Sequence, residues 1–244
     1  MIAVFGASVT QQKNGFTTKL NEHFNVPIKV FGYGGMHLNN AAICFIDEVI
    51  EQRPDYCFFD WFSTAYNESN DKTVQYIDTI LNKCSKINCK PIFLFLPFRS
   101  TPNKRNFHRF CQSVLNDKKV FFIDVNTELQ KYDINKILRD NVHTTEYGSS
   151  LYSKIIYAKF KDNKDNIIKP NGVSETQYSC IKKIMINREF KDFLKLSGNC
   201  EIIGFLLTIG PHSGLINVVN GSESYNSNTW DRSGLFSSKK ILPD

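Results

Sequence analysis

Along the first 160 positions the chain alternates two kinds of segment. Short apolar runs rich in Val, Ile and Phe occupy residues 2–6, 27–32, 55–62, 91–96 and 120–125. They are continuously hydrophobic rather than alternating, as strands covered on both faces must be. Between them, apolar residues recur at helical spacing. Segment 38–52 places Ile43, Ile46, Val49 and Ile50 on one side, and segment 73–86 does the same with Val74, Ile77, Ile80 and Leu81. Segments 16–24, 106–115 and 145–160 complete the helical series. Strands separated by helices pair in parallel, because the helix carries the chain back across the sheet. The pattern predicts an α/β fold with a small doubly wound sheet of five strands, whose ligands bind beyond the carboxyl ends of the strands.

The texture changes after residue 162. KDNKDNIIKPNG is polar and punctuated by Pro170 and Gly172, so 163–175 reads as a linker. Beyond it, CIKKIMI, CEIIGFLLTIG and SGLINVVNG are short strand-like runs between turn residues, and Asn220-Gly221 is a hairpin signal. The organisation expected is a domain over 1–162 and a β-rich accessory module over 176–244. That module is near the lower size limit for a core of its own. It is expected to pack on the first domain or on another chain, the latter giving a homo-oligomer.

Composition narrows the function classes. The 244 residues are 41% hydrophobic and 22% charged, as in an ordinary globular protein. No apolar run approaches the ~18–20 residues a membrane span needs. The chain enters its first strand without a basic leader, so a cytoplasmic location is expected. The net charge of +6 comes from lysines scattered among Asp and Glu, with no dense basic block, and nucleic acid is not an expected partner. The seven cysteines are odd in number, and Cys84 and Cys89 form a lone CxxxxC pair without histidine, so reduced thiols are expected rather than a zinc site.

Four blocks carry candidate chemistry. In MIAVFGASVTQQKNGF, Ser8 follows the first strand, where such sheets place their ligands. In RDNVHTTEYGSSLYSKII, Asp140 stands three residues before His143, ahead of a helix capped by Thr144 or Thr145. An acid at that spacing can hold one imidazole nitrogen and leave the other to take a serine proton. Gly32-Tyr33-Gly34-Gly35 follows the second strand, where glycines let backbone N–H groups approach an oxyanion. PDYCFFDWFSTAYN ends the third strand with polar side chains near the same edge. Alone, Ser8 reads as a capping serine and His143 as a surface histidine. Together the blocks favour nucleophilic catalysis.

In this order the blocks resemble those of the SGNH hydrolases, also called GDSL esterases. FGASVT stands where that family has its Gly-Asp-Ser block, GYGG is similar to its second block, and DNVHTTEYG to its closing DxxH block. The resemblance implies a flavodoxin-like three-layer α/β/α domain, Ser8 as nucleophile, His143 as general base, Asp140 as orienting acid and Gly35 in the oxyanion hole. Two blocks depart from the family. Ala7 replaces its aspartate, and Phe62-Ser63-Thr64-Ala65 lacks the asparagine of the third block, leaving Asn67 or Thr64 as the remaining oxyanion donor. In the tail, GFLLTIGPHSGLINVVNG is similar to β-sandwich modules on sugar-directed members of the family.

The function expected is a serine esterase removing an O-acyl group, acetyl foremost, from a carbohydrate or another small ester, with no metal or organic cofactor. An O-acyltransferase using the same residues is the alternative, and a non-catalytic glycan-binding module is the second. His37, Asp60 and Trp61 are candidate substrate contacts, with local packing the competing role for each. His23 and His108 read as surface or packing residues, and Lys104, Arg105 and Arg109 as one solvated basic face.

Overall fold

The five apolar runs form β1 (Ile2–Gly6), β2 (Ile28–Gly32), β3 (Tyr56–Asp60), β4 (Lys90–Phe95) and β5 (Phe122–Asp124). In this computed structural model the described residues are 1–34, 37–38, 42–63, 69–99 and 102–170, with strands at 205–209, 215–220, 223–228 and 238–242. All pairings in the five-stranded sheet are parallel, in the order β2-β1-β3-β4-β5, the flavodoxin-like arrangement. The order reverses at β1, between β2 and β3, and a ligand crevice belongs beyond the carboxyl ends there.

Period-two side-chain direction divides the sheet residues between two helical layers. On one face, Ile2, Val4, Phe58, Ile92 and Leu94 pack with Phe16 and Leu20 of α2 (Phe16–Asn21) and with Tyr152, Ile156 and Phe160 of α8 (Glu146–Asn163). The other face is aromatic. Phe59, Phe62, Phe93 and Phe95 stack in succession at 4.8–5.5 Å, and His108 of α5 (Pro102–Asp117) meets Phe95 edge-on at 5.1 Å. Also on that face, Phe5 packs edge-on to Tyr33, which stacks at 4.3 Å on Phe45 of α3 (Ile43–Ile50). Helix α4 (Asn70–Lys86) buries Tyr76, Ile77, Ile80 and Leu81 and is capped by Ser69, whose side chain accepts from Lys72 N–H. The central strands are buried on both faces, as their unbroken hydrophobicity predicts, while β2 at the edge leaves Lys29 and Val30 exposed.

The chain divides into two compact units, Met1–Lys183 and Ile184–Asp244. In the second, β6 (Phe205–Ile209) pairs antiparallel with β9 (Ser238–Leu242), and β7 (Leu215–Asn220) with β8 (Glu223–Asn228). The last pair of the β7–β8 ladder is Asn220 opposite Glu223, where the sequence sets its turn. The run CIKKIMI lies outside the described residues. No helix among the described residues is long and apolar enough to cross a membrane.

Candidate active site

β1 ends at Gly6, the chain passes through Ala7 in extended conformation, and Ser8 opens the short helix α1 (Ser8–Gln11). A four-residue helix is too short to leave a periodic signal, so the sequence does not predict it. Its first N–H groups, Ser8's among them, have no intrahelical acceptor. Ala7 N–H is used elsewhere, donating to the Asp60 carbonyl at 3.1 Å. A Cβ on Gly6 would sit 2.4 Å from Thr10 Oγ1 and 2.6 Å from the Asp60 carbonyl, so only glycine lets α1 fold back this closely over β1 and β3.

The glycines after β2 serve the same helix. A Cβ on Gly32 would meet Gln11 Cα at 2.6 Å, and one on Gly34 would meet Gln11 Oε1 at 2.3 Å and lie 3.9 Å from Ser8 Cβ. Among the described residues, Gly34 is the glycine of this block that lies beside Ser8. Gly35, Thr64 and Asn67, the expected oxyanion donors, lie outside the described residues.

His143 comes to Ser8 from the far end of the domain. After β5 the chain forms α6 (Val125–Glu128) and α7 (Ile134–Ile137), then a tight loop closed by a bridge between Leu138 and Thr144. Within it, Asp140 Oδ1 accepts from Val142 N–H at 3.0 Å and His143 N–H at 2.8 Å. The same carboxylate faces His143 Nδ1, at 3.1 Å from Oδ1 and 2.9 Å from Oδ2. His143 Nε2 lies 2.9 Å from Ser8 Oγ. An ionised carboxylate only accepts, so a neutral His143 carries its proton on Nδ1 and offers the Nε2 lone pair to the serine hydroxyl. Partial desolvation would raise the Asp140 pKa, but the two backbone N–H bonds and the imidazole outweigh it and hold the carboxyl down at about 2. The side chains of His143 and Asp140 are 27% and 50% exposed, so water reaches both. The loop is braced outside by Arg99, whose N–H donates to the Asn141 carbonyl at 2.9 Å and whose guanidinium reaches the Leu138 carbonyl at 3.3 Å. Of the two threonines that follow His143, Thr145 is the helix cap, accepting from Gly148 N–H at 3.0 Å.

Asp60 and Trp61 depart from the role of substrate contact. Both are wholly buried: Asp60, the last residue of β3, lies against Thr10 of α1, and Trp61 packs edge-on to Phe5 at 4.8 Å. Asp60 accepts from Thr10 Oγ1 at 2.9 Å and Ser63 Oγ at 2.7 Å, tying α1 to the turn after β3. Burial pushes its pKa up to about 7 against the pull of Ser63, Thr10 and Lys104. Lys104 is likewise not part of a solvated basic face. It is buried, its ammonium donates to the Ser63 carbonyl and lies 4.3 Å from the Phe98 ring centroid, and burial lowers its pKa to about 8. Arg105 and Arg109 on the same helix are exposed as expected. His108 is buried with Nε2 2.9 Å from the Phe62 carbonyl, and burial lowers its pKa to about 4. His37 is exposed. Among the described residues no group of three or more His, Cys, Asp and Glu could hold a metal ion. Described cysteines 44, 57, 84, 89 and 111 are reduced thiols.

Neither a protein-family model nor a curated protein sequence matches this chain. Solved structures do. An acetyl xylan esterase matches with a TM-score of 0.55 at 16% identity, over 65% of this chain and 98% of its own. A protein described as lipolytic, of the G-D-S-L family, from Desulfitobacterium hafniense matches with a TM-score of 0.58 at 15% identity, over 64% and 97%. A variant of an acetyl-xylooligosaccharide esterase from Geobacillus matches with a TM-score of 0.52 at 13% identity, over 64% and 92%. The fold of this chain is that of the SGNH hydrolases.

Proposed function

We propose that the protein is a serine esterase that removes an O-acyl group, acetyl foremost, from a carbohydrate. The observation that carries this reading is the continuous hydrogen-bond relay from Ser8 Oγ through His143 to Asp140, drawn from opposite ends of the domain and assembled at the switch point of the sheet. The carbohydrate component is supported by the two structural relatives named for acetylated xylan and xylo-oligosaccharide, and by the likeness of the tail to modules on sugar-directed esterases.

In this reading Ser8 Oγ attacks the ester carbonyl carbon while Nε2 of His143 takes its proton. Asp140 stabilises the resulting imidazolium without itself becoming protonated. The Ser8 N–H, unused by α1, and the Gly35 N–H receive the oxyanion, with the Asn67 amide or Thr64 hydroxyl as the further donor. Collapse of the tetrahedral intermediate breaks the bond to the sugar oxygen, which takes the proton from Nε2. Water then attacks the acyl-enzyme, His143 again accepts the proton, and the carboxylic acid leaves with Ser8 restored.

Hydrolysis of p-nitrophenyl acetate and labelling by a fluorophosphonate test the reading. The parent protein is expected to do both, and Ser8→Ala to do neither. Acetate release from acetylated xylo-oligosaccharides then tests the substrate class. Activity that survives in Ser8→Ala would exclude Ser8 as the nucleophile.

A further inference from the structure

Beside the Ser8–His143 hydrogen bond, the side chain of Gln12 joins the loop that carries His143 to the segment that carries Ser8. Gln12, the C-cap of α1, turns its amide edge-on to the backbone of Thr144. Gln12 Nε2 donates to the Thr144 carbonyl at 2.9 Å, while Gln12 Oε1 accepts from Thr144 N–H at 3.2 Å and from Thr144 Oγ1 at 3.3 Å. A carbonyl can only accept and an N–H only donate, so the backbone of Thr144 fixes which way the amide faces. The pairing spans 132 residues of sequence and lies between neighbours of the two reacting groups. Gln12 is four residues after Ser8, and Thr144 directly follows His143. Thr144 is itself buried, with its hydroxyl 2.6 Å from Ser149 Oγ in α8, so the amide is clamped to a fixed point rather than to a mobile strand end.

Each end of this arrangement is held in its own part of the fold, α1 through Thr10 to Asp60 and the His143 loop through Asp140 and Arg99, and neither of those ties sets the gap between the two. α1 has four residues, fewer than an independent helix needs. The Asp140–His143 loop is partly in water. The separation of 2.9 Å between Ser8 Oγ and His143 Nε2 therefore depends on what holds one segment to the other. We propose that Gln12 is a positioning residue: its amide, paired with both backbone groups of Thr144, sets the distance between Ser8 and His143 without touching substrate. This rests on the reading of Ser8 as nucleophile and His143 as its base. An error of about 1 Å in such a contact can cost on the order of a hundredfold in rate.

Gln12→Met keeps the length of the side chain and removes both hydrogen-bonding functions. Gln12→Asn keeps the amide but draws it back by one methylene, and its half-buried site makes it the milder change should the first variant fold poorly. Two readouts are taken on the full chain: the fluorophosphonate labelling rate of Ser8 with kcat and KM for p-nitrophenyl acetate, and amide hydrogen exchange at Thr144. Both variants are expected to label at least tenfold more slowly, with kcat reduced in proportion, KM within about twofold of the parent and Thr144 exchange accelerated. Labelling and kcat equal to the parent's would overturn the proposal, as would a loss confined to KM. If the parent itself neither labels nor turns over ester, the esterase reading fails and the clamp is judged by exchange alone. Acceleration at Thr144 then supports it, and unchanged exchange refutes it.

Discussion

Asp140 divides its work between two partners. One oxygen ties down the backbone N–H groups of Val142 and His143, and both oxygens lie within reach of Nδ1. Because the carboxylate is half exposed, its hold on the imidazole comes from this fixed turn more than from burial. Asp140→Asn preserves an oxygen for the two N–H groups but presents an NH2 to Nδ1. The imidazole must then accept there and carry its proton on Nε2, the wrong tautomer for taking a proton from Ser8. The expected result is a fall in kcat of about 10²–10⁴-fold with the fold retained by circular dichroism; a loss under tenfold would show that the carboxylate does not orient the base. Asp60 gives a prediction of a different kind. With its folded pKa near 7, the native state keeps a proton that the unfolded chain releases near pH 4. Stability therefore falls as pH rises between these values, by up to about 1.4 kcal/mol per pH unit. Lys104 acts oppositely higher up: its pKa near 8 lies below that of a free lysine, so stability recovers from pH 8 upward. Buried His108, with its pKa near 4, pushes stability the other way from Asp60 up to about pH 6.5, so the Asp60 contribution is the gap between parent and Asp60→Asn. Urea melts at intervals from pH 4 to 7 should show the parent losing stability relative to that variant as pH rises. Parallel curves for the two proteins would refute it.

Two helices end in the same way, and the sequence carried the sign without making it readable. At the end of α4, Cys89 N–H bonds the Cys84 carbonyl at 3.0 Å and Asn88 N–H bonds the Ser85 carbonyl at 3.2 Å. At the end of α5, Val120 N–H bonds the Leu115 carbonyl and Lys119 N–H the Asn116 carbonyl, both at 2.9 Å. Both are Schellman turns, which place a left-handed residue after the cap and a buried contact across it. The CxxxxC pair is thus the apolar contact of a helix end, which accounts for two buried thiols without a metal. The left-handed positions are Asn88 (φ 60°) and Lys119 (φ 55°) rather than glycine. Asparagine enters that region at lower cost than lysine. Lys119→Gly should therefore raise stability by about 0.5–1 kcal/mol, and Asn88→Gly by less, measured by thermal denaturation. Equal effects would mean that the left-handed backbone is not the source of the gain. The long helices were legible because their apolar stripes run for several turns. α1, α6 and α7, with four residues each, were not, since periodicity needs more than one turn to appear.

At the scale of the molecule, the sheet was legible because strands buried on both faces must be continuously apolar, and Ser8, Asp140 and His143 because the topology brings strand ends to one edge. What hydropathy concealed was polar matter inside. Lys104 reads as solvent-facing, yet its ammonium is buried against the Ser63 carbonyl, and Gln12 has no sequence feature that marks a bond to Thr144. All of these groups belong to the unit Met1–Lys183, which also holds the whole five-stranded sheet and both layers of its core. The core reaches as far as Ile167, buried beyond the 3-10 turn Lys164–Asn166, so a cut placed at the end of α8 would remove part of it. A chain ending at Lys183 should therefore melt cooperatively and retain kcat and KM for p-nitrophenyl acetate within about twofold, whereas one ending at Asn163 should lose about 1.5–3 kcal/mol from the missing Ile167 side chain. Acetate release from an acetylated oligosaccharide by the full chain and by the chain ending at Lys183 separates chemistry from recognition. If the chain ending at Lys183 keeps small-ester turnover but loses the oligosaccharide, the second unit supplies the grip on the sugar. If it loses both, the Ser8 site is incomplete without residues beyond Lys183.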